Sequence, residues 1–150
     1  MRIILQRVTK GRVTVDHQIV GTVQQGFVAL IGVTHGDTEA ESAFLAKKTA
    51  NLRVFEDSAG KMNLSLLEVG GGMLVISQFT LYADTRKGRR PSFINAAQPE
   101  IAAPLVEAYI RNLQAEGITH VEKGVFGAMM LVEIHNNGPV TIILESDEDK

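Results

Sequence analysis

Hydroxyl and amide side chains gather at one point of the sequence, Ser77-Gln78-Phe79-Thr80, directly after the apolar run Met73 to Ile76. Ser77 and Thr80 offer hydroxyls, Gln78 a donor and an acceptor, and Phe79 a face on which a base can stack. A strand that turns polar at its end and opens into a loop is a common place for a site, because rigid backbone positions what the loop presents. Plain strand alternation also accounts for these residues, with Ser77 and Phe79 on one face and Gln78 and Thr80 on the other. No base stands beside Thr80 in the sequence, so a nucleophilic role for it is weakly supported. The four histidines (His17, His35, His120 and His135) include no i, i+4 pair and have no carboxylates in a ligand pattern beside them. There is no cysteine, which excludes disulfides, thiol nucleophiles and thiolate metal sites. The expectation is a site that uses neither metal nor cofactor.

Two further segments could bind or select. Arg86-Lys87-Gly88-Arg89-Arg90 places four cations in five residues. Such a run is either a solvated surface or a contact for phosphates, and its nearness to Ser77–Thr80 favours the second. Asn136-Asn137-Gly138-Pro139 contains the Asn-Gly signal of a hairpin turn, while a Gly–Pro bond can also be cis and aim its carbonyls unusually. Both readings stand at this level. Gly70-Gly71-Gly72 precedes a strand, whereas nucleotide-binding glycines follow one and open a helix, so it reads as a turn.

These residues must be held by elements the sequence also specifies. A length of 150 residues fits one domain. The segment to residue 34 reads as three strands: one that includes Val13 and Val15, a turn at Asp16-His17-Gln18, a second from Ile19 to Val23, and Phe27 to Val33. The last is apolar throughout, as a strand buried on both faces would be. Thr38-Glu39-Ala40-Glu41 has capping-box spacing and opens a helix carrying Leu45 and Leu52 that ends near Arg53. Met73 to Thr80 reads as a second buried strand. A second helix is expected over about Ile101 to Glu116, with Pro104 in its first turn and Gly117 closing it. Two last strands, Phe126 to His135 and Val140 to Leu144, would be joined by the turn at Asn136–Pro139. The order favours an α+β fold, a largely antiparallel sheet or barrel-like β core with two main helices. No apolar run is long enough to span a bilayer and no signal-peptide pattern opens the chain, so a cytoplasmic protein is expected.

The formal charge of −2, from 15 Lys and Arg against 17 Asp and Glu, argues against an indiscriminate nucleic-acid binder. Its distribution tells more. Removing residues 145–150 takes away four acids and Lys150 and leaves +1, while Arg2, Arg7, Lys10 and Arg12 all precede the first acid. A local grip on a polyanion is compatible with the weak overall charge.

Ser77-Gln-Phe-Thr-Leu-Tyr82 and Asn136-Asn-Gly-Pro-Val-Thr141, in this order, resemble the signature segments of the D-aminoacyl-tRNA deacylase family. Met1-Arg2, Gln6-Arg7-Val8, Gly60 to Ser65, Lys87 to Phe93 and Phe126 to Met129 carry the resemblance along the chain. Asn137 departs from it, where Asp is frequent, as does His17, where a turn glycine is common. The resemblance implies hydrolysis of the ester between a D-amino acid, or glycine, and the 3′-terminal adenosine of tRNA. It implies that Ser77, Gln78, Phe79 and Thr80 hold the adenosine and the reacting carbonyl, Thr80 through its hydroxyl or its backbone. It also implies a homodimer in which a cis Gly138–Pro139 pair enters the partner's site and rejects L-residues sterically, held in place by Arg7. Arg86, Lys87, Arg89 and Arg90 would meet the tRNA backbone. An ester is already activated, so donors that stabilise an oxyanion suffice without a Ser–His–Asp set. The competing readings are a non-catalytic nucleic-acid-binding module, a small-molecule-binding dimer, and a related enzyme that clears L-residues with a trans Gly–Pro pair.

Overall fold

A computed structural model describes residues 1–146. The elements are β1 (Arg2–Val15), β2 (Gln18–Val23), β3 (Gly26–Gly32), α1 (Glu39–Asn51), β4 (Phe55–Glu56), β5 (Met62–Leu64), β6 (Gly72–Ser77), a 3₁₀ turn (Phe79–Tyr82), α2 (Pro99–Ala115), β7 (Val121–Lys123) and β8 (Leu131–Glu145). The main sheet runs β2-β1-β3-β6-β7, with β8 on the other edge of β1. Thr22 on β2 donates its N–H and hydroxyl to Glu122 on β7, so the sheet curls into a nearly closed barrel. The β1 pairings are antiparallel, as expected, but β3–β6 and β6–β7 are parallel. The reason is connection length: α1 and α2 lie in the two crossovers, and such a crossover returns the chain parallel to itself.

Two cores stabilise this arrangement. One lies between sheet and helices, with Ile3, Leu5, Phe27, Ile31, Met73, Leu45 and Tyr109 fully buried. The other fills the barrel with Val8, Val13, Val23, Val28, Leu74 and Ile76. β3 serves both, which is why it is apolar at nearly every position. Gly11 lets β1 turn the barrel corner, since a Cβ there would lie 2.6 Å from Val28 Cγ2. Thr38 and Glu41 form the expected capping box of α1. Asp16 and His17 both have positive φ, 47° and 64°, and close the tight β1–β2 turn.

Four expectations are corrected. The strand read over Met73 to Thr80 stops at Ser77, and Phe79–Tyr82 is a 3₁₀ turn, so Ser77 to Thr80 do not alternate across a sheet. Among the described residues after 125 there is no hairpin: β8 is one strand, Leu131–Glu145, that pairs with β1 on both sides of bulges beside Gln6, Val8 and Lys10. The proline and glycine at 138–139 are absorbed by a bulge because β8 is an edge strand and needs no second ladder. Helix α2 starts at Pro99, and Pro104 sits a turn inside it. Only the Glu100 carbonyl loses its donor there, and both residues face solvent. Glu145, grouped above with the terminal acids, belongs to β8, while Asp147, Glu148, Asp149 and Lys150 lie outside the described residues.

Candidate active site

The end of β6 is set by its neighbour β3. The Gln78 N–H donates to the Ile31 carbonyl at 2.7 Å, the last ladder bond, and the backbone at Gln78 (φ −147°, ψ 79°) then leaves the sheet. The turn that follows packs on Gly32, where a Cβ would stand 3.0 Å from Leu81 Cβ and 3.1 Å from the Tyr82 ring. Glycine is needed here for close approach. Phe79 and Thr80 project outward, and the Gln78 amide donates to the Thr80 hydroxyl. Phe79 meets Phe93 edge-on, with centroids 5.1 Å apart.

Beside them opens a cavity of about 650 Å³. Ser77, Gln78 and Phe79 form one wall, Phe93 and Ala96–Pro99 a second, and Phe126–Met130 a third, with Ile31, Val33 and Val132 toward the sheet. None of its lining residues is ionisable. The chemistry available is therefore hydrogen bonding from hydroxyls, amides and backbone, together with aromatic contact and exclusion of water. Thr80, the residue after Phe79, is exposed and does not line the cavity. Among the described residues no group of three or more His, Asp or Glu is arranged to hold a metal.

The basic loop follows the 3₁₀ turn and is closed by Asp84 and Ser92, which exchange backbone hydrogen bonds. Its four cations are not equivalent. Arg86 reaches back to Asp84, with Nη2 to Oδ2 at 2.7 Å and Nε to Oδ1 at 2.9 Å. Those bonds, with the Arg86 N–H, hold the Asp84 carboxyl down at about 2. Lys87, Arg89 and Arg90 are exposed around Gly88, whose φ of 67° makes the tip.

Gly138 and Pro139, joined by a cis peptide, form an exposed tip on the β8 bulge. The Asn136 side chain closes the bulge by accepting the Val140 N–H at 2.8 Å. Arg7 is 5% exposed and ties the bulge to the body: Nε donates to the Asn137 carbonyl at 3.0 Å and Nη1 to the Val54 carbonyl at 2.7 Å. Gly138 and Pro139 do not line the cavity of their own chain.

A family model described as D-Tyr-tRNA(Tyr) deacylase matches residues 4–145. The chain belongs to that family. It is 57% identical to the D-aminoacyl-tRNA deacylase of Thermus aquaticus over 148 residues, covering 99% of this chain and 97% of the other. Identity to the D-aminoacyl-tRNA deacylase of Thermomicrobium roseum is 59% over 148 residues, covering 99% and 96%. Among solved structures, one titled c-Myc DNA Unwinding Element Binding Protein superposes with a TM-score of 0.90 at 37% identity, covering 97% of this chain and 98% of the other. A probable eukaryotic D-amino acid tRNA deacylase superposes at 0.83 with 17% identity, covering 95% and 97%, a likeness of fold alone. The chain is thus an enzyme of the deacylase class, not a non-catalytic module.

Within this deacylase the structure brings Ser77, Gln78 and Phe79 to the cavity but leaves Thr80 outside its lining, places the basic loop one turn downstream, and keeps Gly138, Pro139 and Arg7 apart from them. Sequence reasoning assigned nothing to Phe93 or to Phe126–Met130, which complete the cavity. Their signal was present in the Lys87-to-Phe93 and Phe126-to-Met129 segments, but no periodicity links such loops to a strand end.

Proposed function

We propose that this deacylase hydrolyses the ester joining a D-amino acid, or glycine, to the 3′-terminal adenosine of tRNA. The observation that carries the reading is a cavity with three phenylalanines and no ionisable side chain in its lining, with room for a nucleoside and an attached aminoacyl group. Such a site suits a reaction whose substrate is already activated. Adenosine stacks at Phe79, and Ser77 and Gln78 hold the reacting end. Water adds to the ester carbonyl, and the oxyanion is met by N–H donors of the 3₁₀ turn, whose opening amides at Phe79 and Thr80 have no acceptor within it. Collapse breaks the bond to the ribose oxygen, which leaves as the 3′-hydroxyl after taking a proton, and the free amino acid departs. The RNA's own 2′-hydroxyl, adjacent to that oxygen, assists the transfer.

Chirality is decided by exclusion in this reading. Gly138 and Pro139 project from one chain into the cavity of a second and stand where an L side chain would point, and Arg7 fixes them. D side chains point elsewhere and glycine has none. The exposed apolar residues Phe79, Phe93, Phe126, Met129 and Leu131 around the cavity mouth support a homodimer there. Lys87, Arg89 and Arg90 meet tRNA phosphates while Arg86 shapes their loop, and the place of work is the cytoplasm, where aminoacyl-tRNA is made. The test is incubation with matched D- and L-aminoacyl-tRNA. Release of the D-residue at least about a hundredfold faster is expected, a difference of about 2.7 kcal/mol in transition-state binding; equal release of both would overturn chiral selection.

A further inference from the structure

We infer that Arg2 is a positioning residue of the active site, acting through the 3₁₀ turn that carries Phe79 and Thr80. This rests on the reading of that turn given above. Arg2 pairs in register with Gly32 on β3 and with Glu145 on β8, so it sits where three segments meet. Its Nη1 donates to the Leu81 carbonyl at 2.7 Å, its Nε donates to the Glu145 carboxylate, and its guanidinium lies 5.1 Å from the centre of the Tyr82 ring. The turn has four residues, and its last carbonyls have no acceptor role within it. Arg2 satisfies one of them with a charge-assisted bond, and its contact with Tyr82 fixes the next residue.

The opposite face of the turn is fixed by close packing on Gly32. A turn clamped by Gly32 below and Arg2 at its end has one orientation. That orientation sets Phe79 against Phe93 and aims the Phe79 and Thr80 amides. Arg2 itself does not line the cavity. Small misplacements of such donors are costly to rate while ground-state stacking, which tolerates movement, is less affected. The forked guanidinium is also hard to replace, since it meets Glu145 and Leu81 with two different nitrogens held in one plane, whereas lysine has a single nitrogen on a flexible stem.

The experiment compares Arg2→Met, the milder Arg2→Gln, Arg2→Lys and Glu145→Gln with wild type. It measures kcat and KM on a D-aminoacyl-tRNA, thermal stability, and amide hydrogen exchange over residues 78–84. The expected result is a fall of about tenfold in kcat for Arg2→Met and Arg2→Gln with KM within about twofold. Exchange at Leu81 and Ala83 quickens while the strand amides hold. Arg2→Lys recovers part of kcat, and Glu145→Gln, which can still accept from Arg2, stays within about twofold of wild type. Arg2 variants with wild-type kcat and local exchange would overturn the assignment, as would Glu145→Gln losing as much kcat as Arg2→Met, because Arg2 would then only tie the sheet together. A wild-type protein that releases no D-amino acid would overturn the deacylation reading instead, and the exchange measurement would still judge the clamp.

Discussion

The guanidinium of Arg7 is buried among carbonyls, those of Asn137 and Val54, and its nearest carboxylate is Glu56 at 3.9 Å. Its third nitrogen lies under Gly138, where an added Cβ would come within 3.1 Å of Nη2 and 2.8 Å of Val140 Cγ2. Gly138 also has φ of 134°, which side chains with a Cβ rarely adopt. Gly138→Ala is therefore expected to destabilise the chain by about 1–3 kcal/mol, and to lower deacylation by at least about tenfold at a temperature where it stays folded. Thermal unfolding and D-aminoacyl-tRNA release separate the two effects; unchanged turnover would remove Gly138 from the selective wall. Asp84 gives a second prediction. Its carboxyl is held down to about 2 by Arg86, so it favours the folded loop above the ordinary carboxylate range and stops doing so as pH falls through about 2. Carbon NMR of the Asp84 carboxyl should show a midpoint near 2 that rises in Arg86→Ala; an unmoved midpoint would mean that the backbone alone holds it. Arg86 is two positions from Asp84, but nothing in residue pattern or spacing pairs Arg7 with the Asn137 and Val54 carbonyls; only the resemblance linked Arg7 to that segment. Arg7 and Asn137 are 130 positions apart, and only the β1–β8 register brings them together.

Elements were more legible where one local signal decides them. The capping box at Thr38, the β1–β2 turn and the two-sided burial of β3 depend on neighbours in sequence or on composition, and each stands as read. The end of β6 and the course of β8 depend on what lies beside them. Gly32 makes room for a turn at Phe79, and β1 supplies a ladder long enough to carry β8 past Gly138-Pro139. The basic loop shows the same division. Four adjacent cations look alike in sequence, yet Asp84 engages one and leaves three outward. Substituting glutamine at both Arg89 and Arg90 should weaken tRNA binding and lower the magnitude of its log–log salt slope by roughly 1.5, the value for about two phosphate contacts. Arg86→Gln should move the slope less, because its charge is already matched within the loop. A slope unchanged by the double substitution would leave the loop as solvated surface.

At the scale of the molecule, net charge misleads about nucleic acid because it averages over a chain whose cations cluster at its start and in one loop. The cavity presents a sharper question, since one chain carries both a cavity and an exposed Gly138–Pro139 tip that does not line it. Met129, 92% exposed at the cavity rim, and its apolar neighbours are costly to leave in water, and the proposed two-fold dimer covers them while placing each tip in the other chain's cavity. This geometry makes a prediction that no single-chain site can meet. Phe79→Ala damages the cavity and Gly138→Ala damages the tip. In a mixed dimer of the two variants, one composite site receives both lesions and the other receives neither. Unfolding and refolding the variants together at equal amounts forms mixed dimers as about half of the population, so about one quarter of wild-type deacylation should return. Each variant refolded alone should stay at its own low level. Recovery well above the mean of the two parents places the tip in trans, whereas activity at that mean would mean that each chain uses its own tip and that the homodimer, if formed, has another purpose.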